Sequence, residues 1–265
     1  TLQHELDPNT GLNEGQSWGW NGVCNHRTIM MTKEKADFHH NWKPHSKSFL
    51  EVFLQWLPVK WIGDTIIDAT NESLKASKEA ETCMGEFLVF VGLWFLMNTV
   101  IGFSRCEYFS SREYNEETFA CPYRLAKYMS GRRFELILSH LRFTKEKPPS
   151  FVDRFWEVRE MLQEWQKHFN EIFIPSWVSC LDESMSTWTN KYTCPGFVFC
   201  PRKPKDKGNE YHTICCGLTG IMFGWEIVEG KDWPRKLGKP EFEEQRGKTA
   251  GLLMRLYKPI FHTSK

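Results

Sequence analysis

Residues 155–188 read FWEVREMLQEWQKHFNEIFIPSWVSCLDESMSTW, and this stretch changes from a helical period to a strand-like one. Its first half places apolar side chains three and four positions apart, as on one face of an α-helix. These side chains belong to Phe155, Val158, Leu162, Trp165, Phe169 and Ile172. Pro175 ends the predicted helix, because proline disfavours helical backbone in the residue before it. The stretch therefore predicts a helix that leads directly into a strand.

The second half of the stretch, residues 177–188, alternates as a β-strand does. This alternation turns Asp182 and Glu183 to opposite faces, so the two adjacent carboxylates are not expected to act as a pair. Two further strands are predicted over Tyr211–Cys216 and Met222–Val228. The Gly-Leu-Thr-Gly sequence between them is typical of a hairpin turn.

Upstream of this stretch the sequence predicts helices, and it divides the chain into three parts. Residues 1–47 mix Gly, Asn, His, Lys and Pro without a period and are expected to form a poorly ordered tail. Residues 48–175 are expected to form a helical region, in which Ser130 caps one helix. Residues 176–265 are expected to hold the opening strands of a sheet, which makes the predicted fold class α+β.

One strongly apolar segment, residues 87–103, raises the question of a membrane span, because about 17–25 residues cross a bilayer as a helix. Asn98 and Thr99 interrupt the segment, and Glu86 and Arg105 flank it without the charge bias that orients a span. A helix that is apolar on all sides also suits the centre of a globular bundle. We therefore expect a buried helix and no membrane span, and a membrane-anchored protein is the less favoured alternative.

Composition excludes several classes of protein. With 41% hydrophobic residues and a net charge of +1, the 265-residue chain is not disordered throughout. The sequence has no Walker phosphate loop, serine-hydrolase elbow, zinc-protease motif or dinucleotide fingerprint. Nine cysteines without a Cys-x-x-Cys pair, and no secretory signal, indicate a reducing intracellular compartment. Cys180, Cys215 and Cys216 are expected to be buried thiols.

Asp182 is the first candidate for chemistry, and the residues around it leave two interpretations open. It lies in Cys-Leu-Asp-Glu-Ser-Met, within the predicted strand, where burying an ionised carboxylate is costly unless the charge is compensated. A divalent cation such as Mg²⁺ is one compensation, because it prefers carboxylate oxygens and substrate phosphates. Alternatively, Asp182 lies exposed at a strand end or binds nearby backbone amides.

The second candidate is the segment Cys200–Gly208, which combines two prolines with four cations, namely Arg202, Lys203, Lys205 and Lys207. Such a loop places cations along a nucleic-acid backbone, but a solvated surface loop has the same composition. The distribution of charge leaves the same two interpretations open. Residues 201–265 carry a net charge of +5 and residues 1–200 a net charge of −4, which suits either a nucleic-acid-binding face or an ordinary solvated surface. His212 and His262 have no carboxylate at a suggestive spacing and are expected to be structural.

In order and spacing, several short motifs resemble the transposase domain of the piggyBac family of transposable elements, over residues 64–233. The motifs are Ala69–Glu72, Gly85–Leu93, Tyr128–Phe134, His140–Phe143, Leu181–Met185 and Arg202–Gly208. Each motif is unspecific by itself. Their order along the chain carries the resemblance.

The resemblance implies a helical dimerisation and DNA-binding region followed by an RNase H-like catalytic domain, of which this chain holds an incomplete sheet. In that family three aspartates hold two Mg²⁺ ions, and the element is cut and pasted at TTAA targets. Asp182 matches the first aspartate, and the basic loop with Arg202, Lys203, Lys205 and Lys207 is expected on the DNA side. DNA, a homodimeric partner and a nuclear location follow from the same resemblance.

The resemblance also implies that the metal site is incomplete. The second and third aspartates are expected at or after residue 265, and Asp232 lies too close to the hairpin to be the second. The sequence thus resembles the first part of a transposase, and no DNA cleavage is expected from these residues alone. The alternative is a non-catalytic DNA-binding or chromatin-associated protein derived from a transposase.

Overall fold

The structure is a computed structural model, and it describes residues 37–38, 48–99, 102–110, 121–176 and 178–261. Its helices are α1 (Phe49–Gln55), α2 (Val59–Trp61), α3 (Asp68–Ala76), α4 (Met84–Thr99), α5 (Arg105–Tyr108), α6 (Gly131–His140), α7 (Trp156–Ile172), α8 (Glu243–Arg246) and α9 (Lys248–Phe261). A π-helical segment, Ile62–Ile67, joins α2 to α3.

The strands form two antiparallel sheets. The first sheet pairs β1 (Asp37–Phe38) with β2 (Phe173–Ile174). The second contains β3 (Ser179–Thr187), β4 (Phe197–Phe199), β5 (Lys207–Cys216) and β6 (Met222–Ile227). In this sheet β5 is central, since β3 lies along one side of it and both β4 and β6 pair with it as well. A mixture of helices and antiparallel sheets confirms the predicted α+β class.

Most of the predicted elements after residue 150 are confirmed, with one omission and one extension. Helix α7, strand β3 and the hairpin of β5 and β6 are present. Strand β5 begins at Lys207, four residues before the predicted start at Tyr211, and β4 was not predicted at all. Both differences lie in a segment rich in Pro, Lys and Gly, where strand propensity is low and pairing with neighbouring strands decides the structure.

The chain divides into two compact units. The first, the sheet unit, comprises residues 1–57, 151–154 and 165–265. The second, the helical unit, comprises residues 58–150 and 155–164. The division passes through α7. The domain boundaries at 47 and 175 stay predictions. Of the expected tail, the structure describes only Asp37 and Phe38, and the rest of that prediction lies outside the described residues.

The core of the helical unit is built around two aromatic rings. Phe90 of α4 and Phe134 of α6 lie 4.8 Å apart between ring centroids, and both are at most 1% exposed. Ile62, Leu125 and Ile137 are buried to the same degree. Ser130 caps α6 as predicted, because its hydroxyl accepts a hydrogen bond from the Arg133 amide.

Arg133 of α6 binds the start of α4 and the segment that precedes it. Arg133 donates two hydrogen bonds to the carboxylate of Glu86, at 2.7 and 2.8 Å, and one each to the carbonyls of Ala80 and Glu81. The hydrogen bonds from Arg133 lower the pKa of Glu86 even though partial burial opposes the shift. Charge-assisted, bidentate contacts of this kind are among the stronger polar interactions in proteins.

Helix α4 differs from the expected buried helix. Phe87, Phe90 and Leu93 are buried, but Trp94 and Phe95 are 40% and 56% exposed. One side of the helix therefore packs in the core while the other presents apolar side chains at the surface. Among the described residues, no helix is long and apolar enough to cross a membrane.

The core of the sheet unit lies between the sheet and helices α7 and α9. Ile214 of β5 and Phe223 of β6 pack with Ile172, Leu252 and Leu256. A bidentate ion pair also ties α9 to the sheet, because Arg255 binds Glu226 at 2.6 and 2.7 Å. These contacts fix β5 and β6 against α9.

A substitution on each side of α4 tests which side is core. Leu93→Asp introduces a charge where the side chain is 3% exposed and should unfold or aggregate the protein. Phe95→Asp, two residues further on, should remain folded because Phe95 is 56% exposed. Circular dichroism and thermal unfolding of both variants make the comparison. A folded Leu93→Asp variant would show that α4 does not form the core.

Adjacent arginines test the contact between α6 and the segment before α4. Arg133→Ala should lower the free energy of unfolding by about 1–3 kcal/mol, because it leaves the partly buried Glu86 carboxylate without its partner. Arg132→Ala, at an exposed position, should change it by less than about 0.5 kcal/mol.

The effect of Arg133→Ala should depend on pH. The pKa of Glu86 lies below its ordinary value of 4.5 in the folded protein, so the stabilisation is present above pH 4.5 and is lost as pH falls through the lowered pKa. Denaturant unfolding at pH 7 and at acid pH measures this change. A stability difference that stays constant on acidification would contradict the importance of the ion pair.

Candidate functional site

The pairing of β3 with β5 determines which side chains share a face. Nine consecutive residues of β3 pair with β5, from Ser179 opposite Cys216 to Thr187 opposite Gly208. Successive residues of each strand alternate between the two faces. Asp182 lies opposite Thr213, whereas Glu183 lies opposite His212. The predicted separation of the two carboxylates to opposite faces therefore agrees with the register.

Asp182 is exposed, and its carboxylate Oδ1 accepts a hydrogen bond of 2.8 Å from the Glu183 amide. The hydroxyl of Thr213 donates to the Asp182 carbonyl at 3.3 Å. An exposed carboxylate avoids most of the desolvation cost that the sequence suggested, so burial gives no reason for a metal ion here. Asp182 is open to a ligand from solvent, and its assignment as a metal ligand depends on the resemblance.

Three ligand-type side chains converge on the opposite face. Glu183 of β3 and Glu210 and His212 of β5 each bring one potential ligand atom to within 4.8 Å of the others. The carboxylate Oε1 of Glu183 lies 4.0 Å from His212 Nε2. Among the described residues this is the one group of three or more His, Cys, Asp or Glu side chains with such geometry.

The expectation that His212 is isolated was wrong. The sequence separates it from Glu183 by 29 positions, but the β3–β5 register makes the two residues direct neighbours across the strands. Glu210 lies two positions before His212 and therefore on the same face, a relation that strand periodicity reveals only once β5 is known to begin before Tyr211. His262 lies outside the described residues.

The basic loop is closed at its base and anchored to β3. The amide of Cys200 donates to the Asp206 carbonyl at 2.7 Å. Lys203 donates to the Glu183 carbonyl at 2.9 Å and lies 3.6 Å from the carboxylate oxygen Oε2 of the same residue. Lys203 therefore fixes the loop to the strand next to Asp182.

The other three cations of the loop, Arg202, Lys205 and Lys207, are exposed. Lys207 lies over the ring of Phe199, 5.7 Å from its centroid, and Phe199 is itself 56% exposed. The structure thus presents an aromatic ring and three cations at the surface of this segment.

Gly208 is required by the backbone at the end of the loop. Its φ of 152° lies in a region that residues with a side chain rarely adopt, and a Cβ atom at this position would overlap the carbonyl of Ser186. The loop motif therefore ends in glycine because β3 approaches too closely for any side chain.

Asp232 has a structural role. Its carboxylate oxygen Oδ2 accepts hydrogen bonds from the Gly196 amide at 2.7 Å and from Arg154 at 3.1 Å. Arg154 also donates to the carbonyls of Tyr192 and Thr193. Asp232 thus holds the connection between β3 and β4.

The three sheet cysteines differ in environment, and the expectation of buried thiols is right only for Cys216. Cys180 is exposed and Cys215 is partly exposed, because both point to the face of Asp182 and away from the core. Burial raises the pKa of the Cys215 thiol. Burial also acts to raise the pKa of Cys216, but hydrogen bonds from the Ser176 hydroxyl and other nearby donors outweigh it and lower the value to about 7.

Residues 49–265 match the protein family described as Transposase IS4, and the chain belongs to this family. The match covers most of the chain, and the family assignment confirms the resemblance to piggyBac-type transposase domains. Transposases of this type use divalent metal ions in general.

A solved structure shows the same fold. It is a piggyBac transposase in a synaptic complex with hairpin DNA, determined by cryo-electron microscopy. The TM-score is 0.65 at 18% sequence identity, and the similarity covers 85% of this chain and 46% of that transposase. The chain thus spans about half the length of the solved relative. A search of curated proteins finds no match.

Proposed function

We propose that this chain is the first part of a cut-and-paste DNA transposase and that Asp182 is the first ligand of its metal site. The observation that carries the proposal is the family match over residues 49–265, together with an exposed Asp182 in the Asp-Glu motif of β3. The reaction class is phosphoryl transfer on DNA.

In this proposal β3, β5 and β6 are the opening strands of an RNase H-like sheet. The three strands are antiparallel and adjacent, and β3 is the first of them in the chain. This order supports the position of Asp182 on the first strand, as the resemblance expects. A nuclear location, a homodimer and TTAA-like targets belong to the same proposal through the family.

The described residues do not by themselves fit a two-ion site. Two-metal phosphoryl transfer uses ions about 3.5–4 Å apart, and each ion needs several oxygen ligands. Among the described residues, Asp182 belongs to no group of three metal-ligand side chains, and Glu183 faces away from it. In this proposal the remaining ligands of the Mg²⁺ site come from outside the described residues.

DNA is the proposed partner of the basic loop. Arg202, Lys205 and Lys207 are exposed and lie on the segment that follows β3, and the solved relative is bound to hairpin DNA. Lys203 also contacts Glu183 and so positions the loop, and its own contact with DNA stays a prediction. Phosphate contacts of this kind contribute affinity without reading sequence.

The second candidate function is DNA binding without cleavage, by a protein that derives from a transposase. The specific observation in its favour is that Asp232, the later of the two aspartates that follow Asp182 in this sequence, is held in a structural contact with Arg154 and Gly196. In this case the basic loop retains its role and Asp182 is a remnant.

Purified protein of these 265 residues should not nick a terminal-repeat DNA duplex in Mg²⁺, because one carboxylate binds the ions weakly. A longer protein that adds the missing aspartates should gain nicking. Asp182→Ala should then abolish it, whereas Asp64→Ala, at an exposed aspartate of the helical unit, should not. Nicking by the 265-residue protein that depends on Asp182 would contradict the proposal of an incomplete site.

The salt dependence of DNA binding tests the loop. Replacing Arg202, Lys205 and Lys207 with Ala should reduce the slope of log K against log salt by about three units, since each lost phosphate contact removes about one. The control replaces Arg235, Lys236 and Lys248, which are also exposed and change the net charge equally. Fluorescence anisotropy over a range of salt concentrations gives both slopes. Equal slopes for the two triple variants would mean that the loop is an ordinary solvated surface.

A further inference from the structure

The sheet face opposite Asp182 holds a second arrangement of metal-ligand side chains. Glu183 and His212 are direct partners across β3 and β5, and Glu210 lies two residues from His212 on the same face. One nitrogen and two carboxylate oxygens come within 4.8 Å of one another. All three residues lie on paired strands, so their backbone positions are fixed before any ligand arrives.

His212 lacks a hydrogen-bond partner at either ring nitrogen among the described residues. Its Nδ1 is buried and unpaired. Its Nε2 is 4.0 Å from Glu183 Oε1, which is too long for a hydrogen bond. A polar group that is only 21% exposed and has no partner is costly. A cation bound at Nε2 would give that nitrogen the partner that the described residues do not supply, and it would place the ring proton on Nδ1.

The two oxygens of Glu183 face different partners. Oε2 lies 3.6 Å from the Lys203 ammonium, and Oε1 lies towards His212. Lys203 thus orients the carboxylate without occupying the oxygen next to the imidazole. Two carboxylates and a neutral imidazole carry a charge of −2, which complements a divalent cation even with Lys203 nearby.

We propose that Glu183, Glu210 and His212 bind one divalent first-row transition-metal ion, such as Mn²⁺, Fe²⁺ or Zn²⁺. Ligand bonds of about 2.0–2.2 Å place neighbouring ligand atoms of one ion about 3–3.5 Å apart, so side-chain rotations that bring the three ligand atoms about 1 Å closer together complete the site. Imidazole with carboxylates favours such ions over Mg²⁺, which prefers oxygen ligands alone. Three protein ligands leave positions open for water or another oxygen ligand.

This site is independent of the proposed transposase site. The register places Asp182 on the other face of β3, so its carboxylate does not share an ion with Glu183. Loss of either site leaves the ligands of the other in place. The transposase proposal therefore does not depend on this second site.

Mn²⁺ is the probe, because carboxylate sites bind it well while the exposed thiols of this chain prefer softer ions. Electron paramagnetic resonance of free Mn²⁺ measures binding to the full chain. Compared with wild type, His212→Ala and Glu183→Gln should each weaken binding by at least about 10-fold. Glu171→Gln, which removes an exposed carboxylate of α7, should leave binding unchanged.

The Asp182→Asn variant distinguishes metal binding at the two proposed sites. In this variant the Mn²⁺ binding that depends on His212 should persist, and binding that disappears with Asp182→Asn alone would belong to the other face. Circular dichroism checks each variant. Nuclear magnetic resonance of wild type gives a readout without substitution, since bound Mn²⁺ should broaden the His212 ring protons at substoichiometric ion concentrations. Unbroadened His212 signals, or equal binding by wild type and a folded His212→Ala variant, would overturn the proposal.

Discussion

The pairing of β3 with β5 is the constraint on which the interpretation of the sheet unit depends. Because side chains alternate along a strand, a shift of one residue in register moves every side chain to the other face. The observed register places Leu181 and Ile214 towards the core, and this apolar pair is what the register must preserve. Asp182 is thereby exposed to solvent on one face, while Glu183 meets His212 on the other.

Several residues that carry the family resemblance have structural roles. Asn71 exchanges two hydrogen bonds with the backbone of Thr82, at 2.7 and 2.9 Å, and Arg133 holds Glu86. Gly208 lets β5 approach β3. These residues help to make the fold recognisable in sequence, because each of them stabilises the scaffold.

Sequence patterns predicted elements whose stability is local. The spacing of apolar residues predicted α7, and the capping residue Ser130 predicted the start of α6. Long-range pairing was not accessible, since nothing in the sequence near His212 indicates that Glu183 faces it. The burial of α4 was overestimated for a similar reason: an apolar helix can be identified from composition, but the elements that cover its sides cannot. Asp182 was chosen by its motif and stays a prediction, because the argument from burial did not apply.

The most direct test of this arrangement is an interstrand distance measured in solution. Backbone hydrogen bonds from Gly217 to Val178 and from Trp188 to Lys207 make Glu183 and His212 a pair without mutual hydrogen bonds, whose Cα atoms lie about 4.5 Å apart. Nuclear Overhauser spectroscopy should therefore show a strong contact between the α-protons of these two residues. A contact between the α-protons of Asp182 and His212 would instead mean a register shifted by one residue, and the two proposed sites would not exist as described.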